Sequence, residues 1–468
     1  MKQSINTAVA LALAAAFGGT ALPAHAAGEA KNIIFFLGDG MGPVPKTAAR
    51  IYKYGEAGSL TMDTLPYTAR IKTYSLDAQT TDSAPSMAAY MTGVKQRNEV
   101  LSMDGNTVAQ APSKDTATNV SDAVNNCSTS NGAAVTTLLE YAIAKGKGTG
   151  AVTTARLTHA TPAATYAHVC HRNAEYEIAR QAVPGGAGFN TRLGNGVDVL
   201  MGGISSYWRP YDATAKRGRP DGRDLVAELK AKGYSYASDL TTFNALPTAA
   251  GTKVIALFDQ ALSQGHMSYE ADRDPTKEPS LAEMTSKAID ILSKNSNGYV
   301  LMVEGGRIDH ALHGTNAYRA VTDTVAFDDA VKAALAKVDL TNTLIVVTAD
   351  HDHTMAFNGY GKKGTPILGL NVNYATGANS LDANQLPYTT LVFGGGNNRP
   401  DTRTALDSAT VQGKDYLQEV VIKRGDVGSE THGGGDVQLY ATGAASKTFK
   451  GTIDNTKVFT LLKSAGGL

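Results

Sequence analysis

Cysteine is scarce in this chain of 468 residues: the two present are too few for a disulfide-built scaffold, a four-cysteine zinc site or an iron–sulfur cluster. Neither sign of charge is in excess, with 43 Lys and Arg against 43 Asp and Glu. That balance, with no basic cluster, argues against nucleic acid as a specific partner, because phosphate contacts need surplus cations. Beyond the N-terminal segment no stretch reaches the ~18 apolar residues of a membrane-spanning helix, so no membrane span is expected. Internal repeats and a low-complexity tail are also missing. What is present is length, enough for two to three average domains or one large α/β domain with insertions.

The first 26 residues read as a leader rather than as part of the fold. Lys2, the apolar run from Ala8 to Phe17 and the sequence Ala24-His25-Ala26 form a secretory signal with an A-x-A cleavage site. The remainder is then an exported protein, periplasmic or secreted, with 42 basic and 43 acidic residues. In such a compartment the only two cysteines, Cys127 and Cys170, are expected to pair.

Short β-branched or aromatic runs recur at Ile33 to Leu37, Gly150 to Thr153, Val254 to Phe258, Tyr299 to Val303 and Leu344 to Val347. Between them lie helix-period stretches: Val135 to Lys145, Leu281 to Lys294 and Ala317 to Val338. Strands apolar on both faces that alternate with helices predict an α/β fold with a mostly parallel central sheet covered on both sides. Residues 354–430 break the rhythm, being rich in Gly, Asn and Thr with one β-like run at Tyr388 to Phe393. They read as an insertion, so the α/β core is expected over 27–353 and again over 431–468, as a last strand and C-terminal helix. Residues 184–224 read as a second irregular, Gly- and Arg-rich excursion.

Functional groups of open α/β sheets sit at the carboxyl ends of strands. Here those ends are acidic: Gly38-Asp39-Gly40, Glu304-Gly305-Gly306-Arg307-Ile308-Asp309 and Thr348-Ala349-Asp350-His351. One acid after a strand is commonly a helix N-cap, but three in one chain, two with nearby His, point to metal. Asp309 and His313 are four residues apart, on one face of a helical turn, where they can converge on one ion. His432 lies in the flexible segment Thr431-His432-Gly433-Gly434-Gly435 just before a strand. Imidazole with carboxylate suits zinc and all-oxygen sets suit magnesium, and this inventory fits both. In Thr81-Asp82-Ser83-Ala84-Pro85, Pro85 is tolerated in a first helical turn, so Ser83 falls at a helix N-terminus, as an N-cap or facing an anion.

Together these segments, with Thr158-His159-Ala160-Thr161-Pro162-Ala163, resemble the alkaline phosphatase family from about Asn32 to the strand after His432. The stretches Met267 to Glu270 and Pro279 to Thr285, and an insertion similar to a crown domain, resemble the animal-type branch more than the enteric bacterial one. The resemblance implies hydrolysis of phosphate monoesters through a phosphoserine, on a homodimer with two zinc ions and one magnesium. It implies Ser83 as nucleophile, and Asp309, His313 and His432 on the first zinc. Asp39, Ser83, Asp350 and His351 would hold the second, and Asp39, Thr161 and Glu304 the magnesium. Arg172, oriented by Asp82, would clamp phosphate, a task for which a guanidinium fork suits better than Lys.

Three departures from the family stand out. Pro85 and Met87-Ala88 replace small residues and a Thr, expected to alter the helix tilt or narrow the pocket. His159 and His310 stand beside the magnesium where the enteric branch has Asp and Lys, which predicts a weakly held third ion. An animal-type calcium site would fall near Asp259, Asp274 and Glu278. Two rivals remain. Ser83-Ala84-Pro85-Ser86 resembles a sulfatase signature, but Met87 stands where that signature needs Arg. A phosphate- or metal-binding protein without turnover would not need Ser83.

Overall fold

The computed structural model describes residues 29–258, 265–425 and 429–468. The leader expected at residues 1–26 and Asp259 lie outside them. Among the described residues fifteen strands run in chain order: β1 (Asn32–Gly38), β2 (Tyr67–Lys72), β3 (Gly148–Arg156), β4 (Val199–Gly203), β5 (Tyr234–Ala237), β6 (Lys253–Phe258), β7 (Tyr299–Gly305) and β8 (Thr343–Ala349). They continue as β9 (Asp352–His353), β10 (Met355–Phe357), β11 (Leu391–Gly396), β12 (Val420–Lys423), β13 (His432–Gly433), β14 (Val437–Gly443) and β15 (Gly451–Asp454).

Ten of these build one sheet in the order β15-β2-β14-β8-β1-β7-β3-β4-β6-β5. Only β14 runs against its neighbours β2 and β8; every other pairing in the sheet is parallel. The central strands β7 and β8 are buried at every residue, as both-face apolar runs require when helices cover both sides. The helices Pro43–Tyr54, Leu281–Leu292 and Arg307–His313 pack on the long helix Ala317–Leu335. The helices Leu138–Ala144 and Asn455–Gly466 pack around the helix Ser83–Thr92. The fold class is therefore the expected one.

Three expectations are corrected. The 184–224 excursion contains β4, wholly buried between β3 and β6, whose Gly-Gly end hid a core strand. His432 is not in a loose glycine segment: β13 pairs antiparallel with β9, with His432 opposite His353. Within 354–430, β10, β11 and β12 form a three-stranded sheet, so the β-like run is displaced a few residues, to Leu391–Gly396. Cys127 and Cys170 form the expected disulfide, closing a sequence separation of 43 residues. Closing a loop of that size stabilises by ~3–4 kcal/mol on a chain-entropy model.

Candidate active site

The register of the central strands brings the acidic segments together. Gly38 of β1 lies opposite Gly305 of β7 and Ala349 of β8, so Asp39 and Asp350 leave the sheet side by side. Glu304 pairs with Leu37 on one side and Thr153 of β3 on the other. All four acids of the cluster, Asp39, Glu304, Asp309 and Asp350, are buried. Burial, reinforced by the charge of Asp309, pushes Asp39 up to about 7. Burial and the charge of Asp39 do the same to Asp350, also to about 7, and raise Glu304 well above the carboxylate range. Such crowding of carboxylates calls for cations.

Three groups of metal-competent side chains lie in a row: Asp309 with His313, His353 and His432; Asp39 with Asp350 and His351; Asp39 with His159 and Glu304. In the first, His313 and Asp309 face one another from one helix, Nε2 to Oδ1 3.3 Å, as the four-residue spacing predicts. His313 Nδ1 donates to the Glu430 carbonyl at 2.7 Å, and His432 Nδ1 to the Thr81 carbonyl at 2.8 Å. A carbonyl only accepts, so both rings carry their proton on Nδ1 and point a bare Nε2 inward. Those two nitrogens are 3.1 Å apart, and His432 Nε2 is 3.5 Å from Asp309 Oδ1. Burial keeps both rings below the ordinary histidine range. Lone pairs converging at that distance fit an imidazole-seeking ion such as zinc.

The middle group has the same chemistry. His351 Nδ1 meets the Asp352 carbonyl at 3.2 Å, leaving Nε2 3.2 Å from Asp39 Oδ1 and 3.4 Å from Asp350 Oδ2. Ser83 Oγ stands 3.2 Å from His351 Nε2 and 3.4 Å from Asp39 Oδ1. The N-cap of the Ser83–Thr92 helix is Asp82, whose Oδ1 accepts from Ala84 N at 2.7 Å, so Ser83 is spared capping and its hydroxyl faces the carboxylates. All ten residues of that helix are buried, and Met87 and Ala88 pack into the core.

In the third group Thr161 Oγ1 lies 3.5 Å from Asp39 Oδ2, and Glu304 Oε2 accepts from Thr153. Glu304 Oε1 is buried without a hydrogen-bond partner, an orphan acceptor that an oxygen-seeking cation such as magnesium would satisfy. Next to it Arg172 Nη1 binds Asp82 Oδ1 at 3.0 Å, and Arg172 Nη2 donates to His159 Nε2 at 3.1 Å. His159 thus braces the arginine, while its own Nδ1 is a buried atom without a partner. His310 accepts from Arg307, Nη1 to Nδ1 3.3 Å, and its ring centroid lies 5.3 Å from that of His159. The disulfide anchors the segment two residues before Arg172, and Arg172 N itself donates to the Glu99 carbonyl at 2.8 Å.

Of the acids expected near a calcium ion, Asp274 and Glu278 lie among the described residues, and each is already paired. Asp274 Oδ1 accepts from Thr276 and Oδ2 pairs with Lys277 on an exposed turn, while Glu278 is spent on the Ser268 amide and hydroxyl, 2.8 Å each. Among the described residues no metal-competent group of three includes either acid.

Sequence reasoning missed His353 and Glu430. His353 Nε2 is 2.8 Å from Asp309 Oδ1 and its Nδ1 2.5 Å from Glu430 Oε2. Although burial opposes it, hydrogen bonds to the two carboxylates push His353 up to about 10. Both of its nitrogens are donors, so it holds Asp309 rather than an ion. The second His of Asp350-His351-Asp352-His353 and the acid two residues before His432 were the available signals.

Known proteins resemble this chain in sequence and in fold. A family model described as alkaline phosphatase matches residues 30–468. The membrane-bound alkaline phosphatase of Bombyx mori is 34% identical over 93% of this chain and 80% of its own length. The alkaline phosphatase of Gadus morhua is 35% identical over 90% of this chain and 89% of its own. In fold, the alkaline phosphatase of Thermus thermophilus superposes with a TM-score of 0.67 at 24% identity, covering 95% of this chain and 93% of that one. The sheet, the row of acids and the likeness to animal relatives have one reading: the chain belongs to the alkaline phosphatase family and is a phosphatase.

Proposed function

We propose that this phosphatase hydrolyses phosphate monoesters through a phosphoserine at Ser83, releasing an alcohol and inorganic phosphate, with two zinc ions and one magnesium as resident metals. The observation that carries the reading is a serine hydroxyl, free of capping duty, that meets only metal-competent groups beside a braced arginine. Asp309, His313 and His432 would hold one zinc, Asp39, Ser83, Asp350 and His351 the other, and Asp39, Thr161 and Glu304 the magnesium. When bound, such ions stabilise charge on the attacking and leaving oxygens and lower the pKa of the serine hydroxyl.

The chain's own residues do the rest. Ser83 Oγ bonds to phosphorus as the ester P–O bond breaks and the alcohol leaves; water then attacks phosphorus and frees both Ser83 and phosphate. Arg172 has five N–H donors, of which Asp82 and His159 take two, so a fork remains for phosphate oxygens. The N-terminus of the Ser83–Thr92 helix adds a dipole that favours the anion.

The leader and the disulfide support an exported enzyme. The exposed Val421 and Ile422 of the edge strand β12 support a subunit contact in 354–430, which light scattering tests: a monomeric mass at micromolar concentration removes it. Incubation with labelled phosphate at acid pH, followed by peptide mapping, tests the chemistry. Label is expected on Ser83, and label on any other residue overturns the assignment.

A further inference from the structure

The hydrogen bonds around the first metal group converge on a residue outside it. Glu430 is buried and none of its polar atoms is idle. Its backbone N donates to the His313 carbonyl at 2.9 Å, and its carbonyl accepts from His313 Nδ1 at 2.7 Å, fixing the backbone and the tautomer of one ligand. Its Oε2 accepts from His353 Nδ1, and His353 in turn donates to Asp309, fixing a second ligand. Two residues further on is His432, the third. The other carboxylate oxygen, Glu430 Oε1, accepts from the backbone N of Thr354 at 2.7 Å and from the Thr354 hydroxyl.

Thr354 carries the chain of contacts outward. Its carbonyl and hydroxyl both receive the amide of Gly394, at 3.1 Å and 3.0 Å, in the middle strand of the 354–430 sheet. One residue thus stands between the ligands and the strand that organises the insertion, touching His313 through its backbone and reaching Asp309 through its carboxylate and His353.

We infer that Glu430 is the positioning residue of the Asp309–His313–His432 metal group, and that through Thr354 it couples filling of that group to the order of β11 in the insertion. The inference rests on the metal reading proposed above. Partners that orient metal ligands typically change affinity by 10–100-fold when removed. Glu430→Gln keeps the size and an acceptor but removes the charge that faces His353. Thr354→Val removes one hydroxyl and leaves the carboxylate in place.

Zinc affinity of the full-length protein, measured by competition with a chromogenic chelator, tests it, together with hydrogen exchange over residues 391–396. Glu430→Gln is expected to weaken one zinc equivalent by ~10–100-fold and leave the other unchanged. Thr354→Val should lower it by less than tenfold, with Thr354→Ser close to wild type. Zinc should slow exchange at 391–396 in the wild type and much less in Thr354→Val, because an ion bound only to the ordered state stabilises that order. A wild type that takes up no zinc would overturn the metal reading and this inference together. Zinc bound as tightly by Glu430→Gln as by wild type would overturn this inference alone, as would an unchanged exchange response in Thr354→Val. If Glu430→Gln does not fold, the Thr354 pair carries the test.

Discussion

The two ends of the metal row are built from similar residues and braced in opposite ways. At the histidine end each ligand is held from behind: His313 and His432 by carbonyls, Asp309 by His353, and His353 by Glu430. At the oxygen end Glu304 Oε1 and His159 Nδ1 are buried with no partner, and the Thr161 contact to Asp39 is long at 3.5 Å. Ligands that are oriented by partners before an ion arrives bind it more tightly than ligands without such bracing. The difference therefore predicts a tightly held ion at one end and a readily lost one at the other, with Ser83 between them.

The largest effect should come from the middle. Ser83→Ala is expected to abolish phosphate incorporation and slow turnover by at least ~10³-fold, as loss of a nucleophile does elsewhere. Because neither end depends on Ser83 for its bracing, metal content should stay near that of the wild type, apart from weaker binding in the middle group. Elemental analysis showing an empty row would break the picture of independently braced ends.

Next is His432→Ala, expected to remove one zinc equivalent and to cut activity by roughly 10²-fold, near the upper range for metal-site lesions. Full zinc by elemental analysis in that variant would remove His432 from the ligand set. Arg172→Ala should act mainly on phosphate binding. Losing charge-assisted hydrogen bonds of ~1.5–3 kcal/mol predicts a roughly 10–100-fold rise in the inhibition constant for phosphate, read from steady-state kinetics. A larger fall in kcat than in phosphate affinity would mean that the arginine serves the chemical step instead.

The smallest effect belongs to the loose end. His159→Asp with His310→Lys restores a negative charge beside the third group and adds a fixed ammonium near the product. Activation by added magnesium, expected to be several-fold in the parent, should shrink in the double variant, and phosphate release should slow. Superimposable magnesium titrations of the two proteins would show that these histidines do not set third-site behaviour. The cost must include Arg172, since His159 accepts one of its N–H groups and Asp would pair with it more strongly.

Much of this was legible in the sequence because apolar strands end where chemistry begins. Asp39, Glu304, Asp309 and Asp350 stand at or just past the carboxyl ends of β1, β7 and β8, and the parallel order of those strands needs only both-face apolar runs. Strands of other kinds were harder to see. Tyr67–Lys72 alternates exposed and buried residues at the side of the sheet, and Val199–Gly203 ends in two glycines, so neither stands out as a core run. Bracing residues were invisible for a different reason. His353 and Glu430 meet across 77 residues of chain, and only the pairing of β9 with β13 puts them in contact. At Asp274 and Glu278, acidity in sequence does not tell that each carboxylate is paired with its close neighbours.

The lone antiparallel strand has a consequence for the order in which the molecule can be assembled. β14 lies between β8 and β2, and among the described residues β2 pairs with β14 and β15 alone. A growing chain that has produced the Ser83 helix and every strand of the sheet up to β8 still has β2 unpaired, because its partners are the last two to be made. His432 arrives with them, five residues ahead of β14. Closing the sheet and completing the histidine group are thus one late event, and a nascent fragment that stops short of β13 lacks both His432 and the strand pairing that sets it opposite His353.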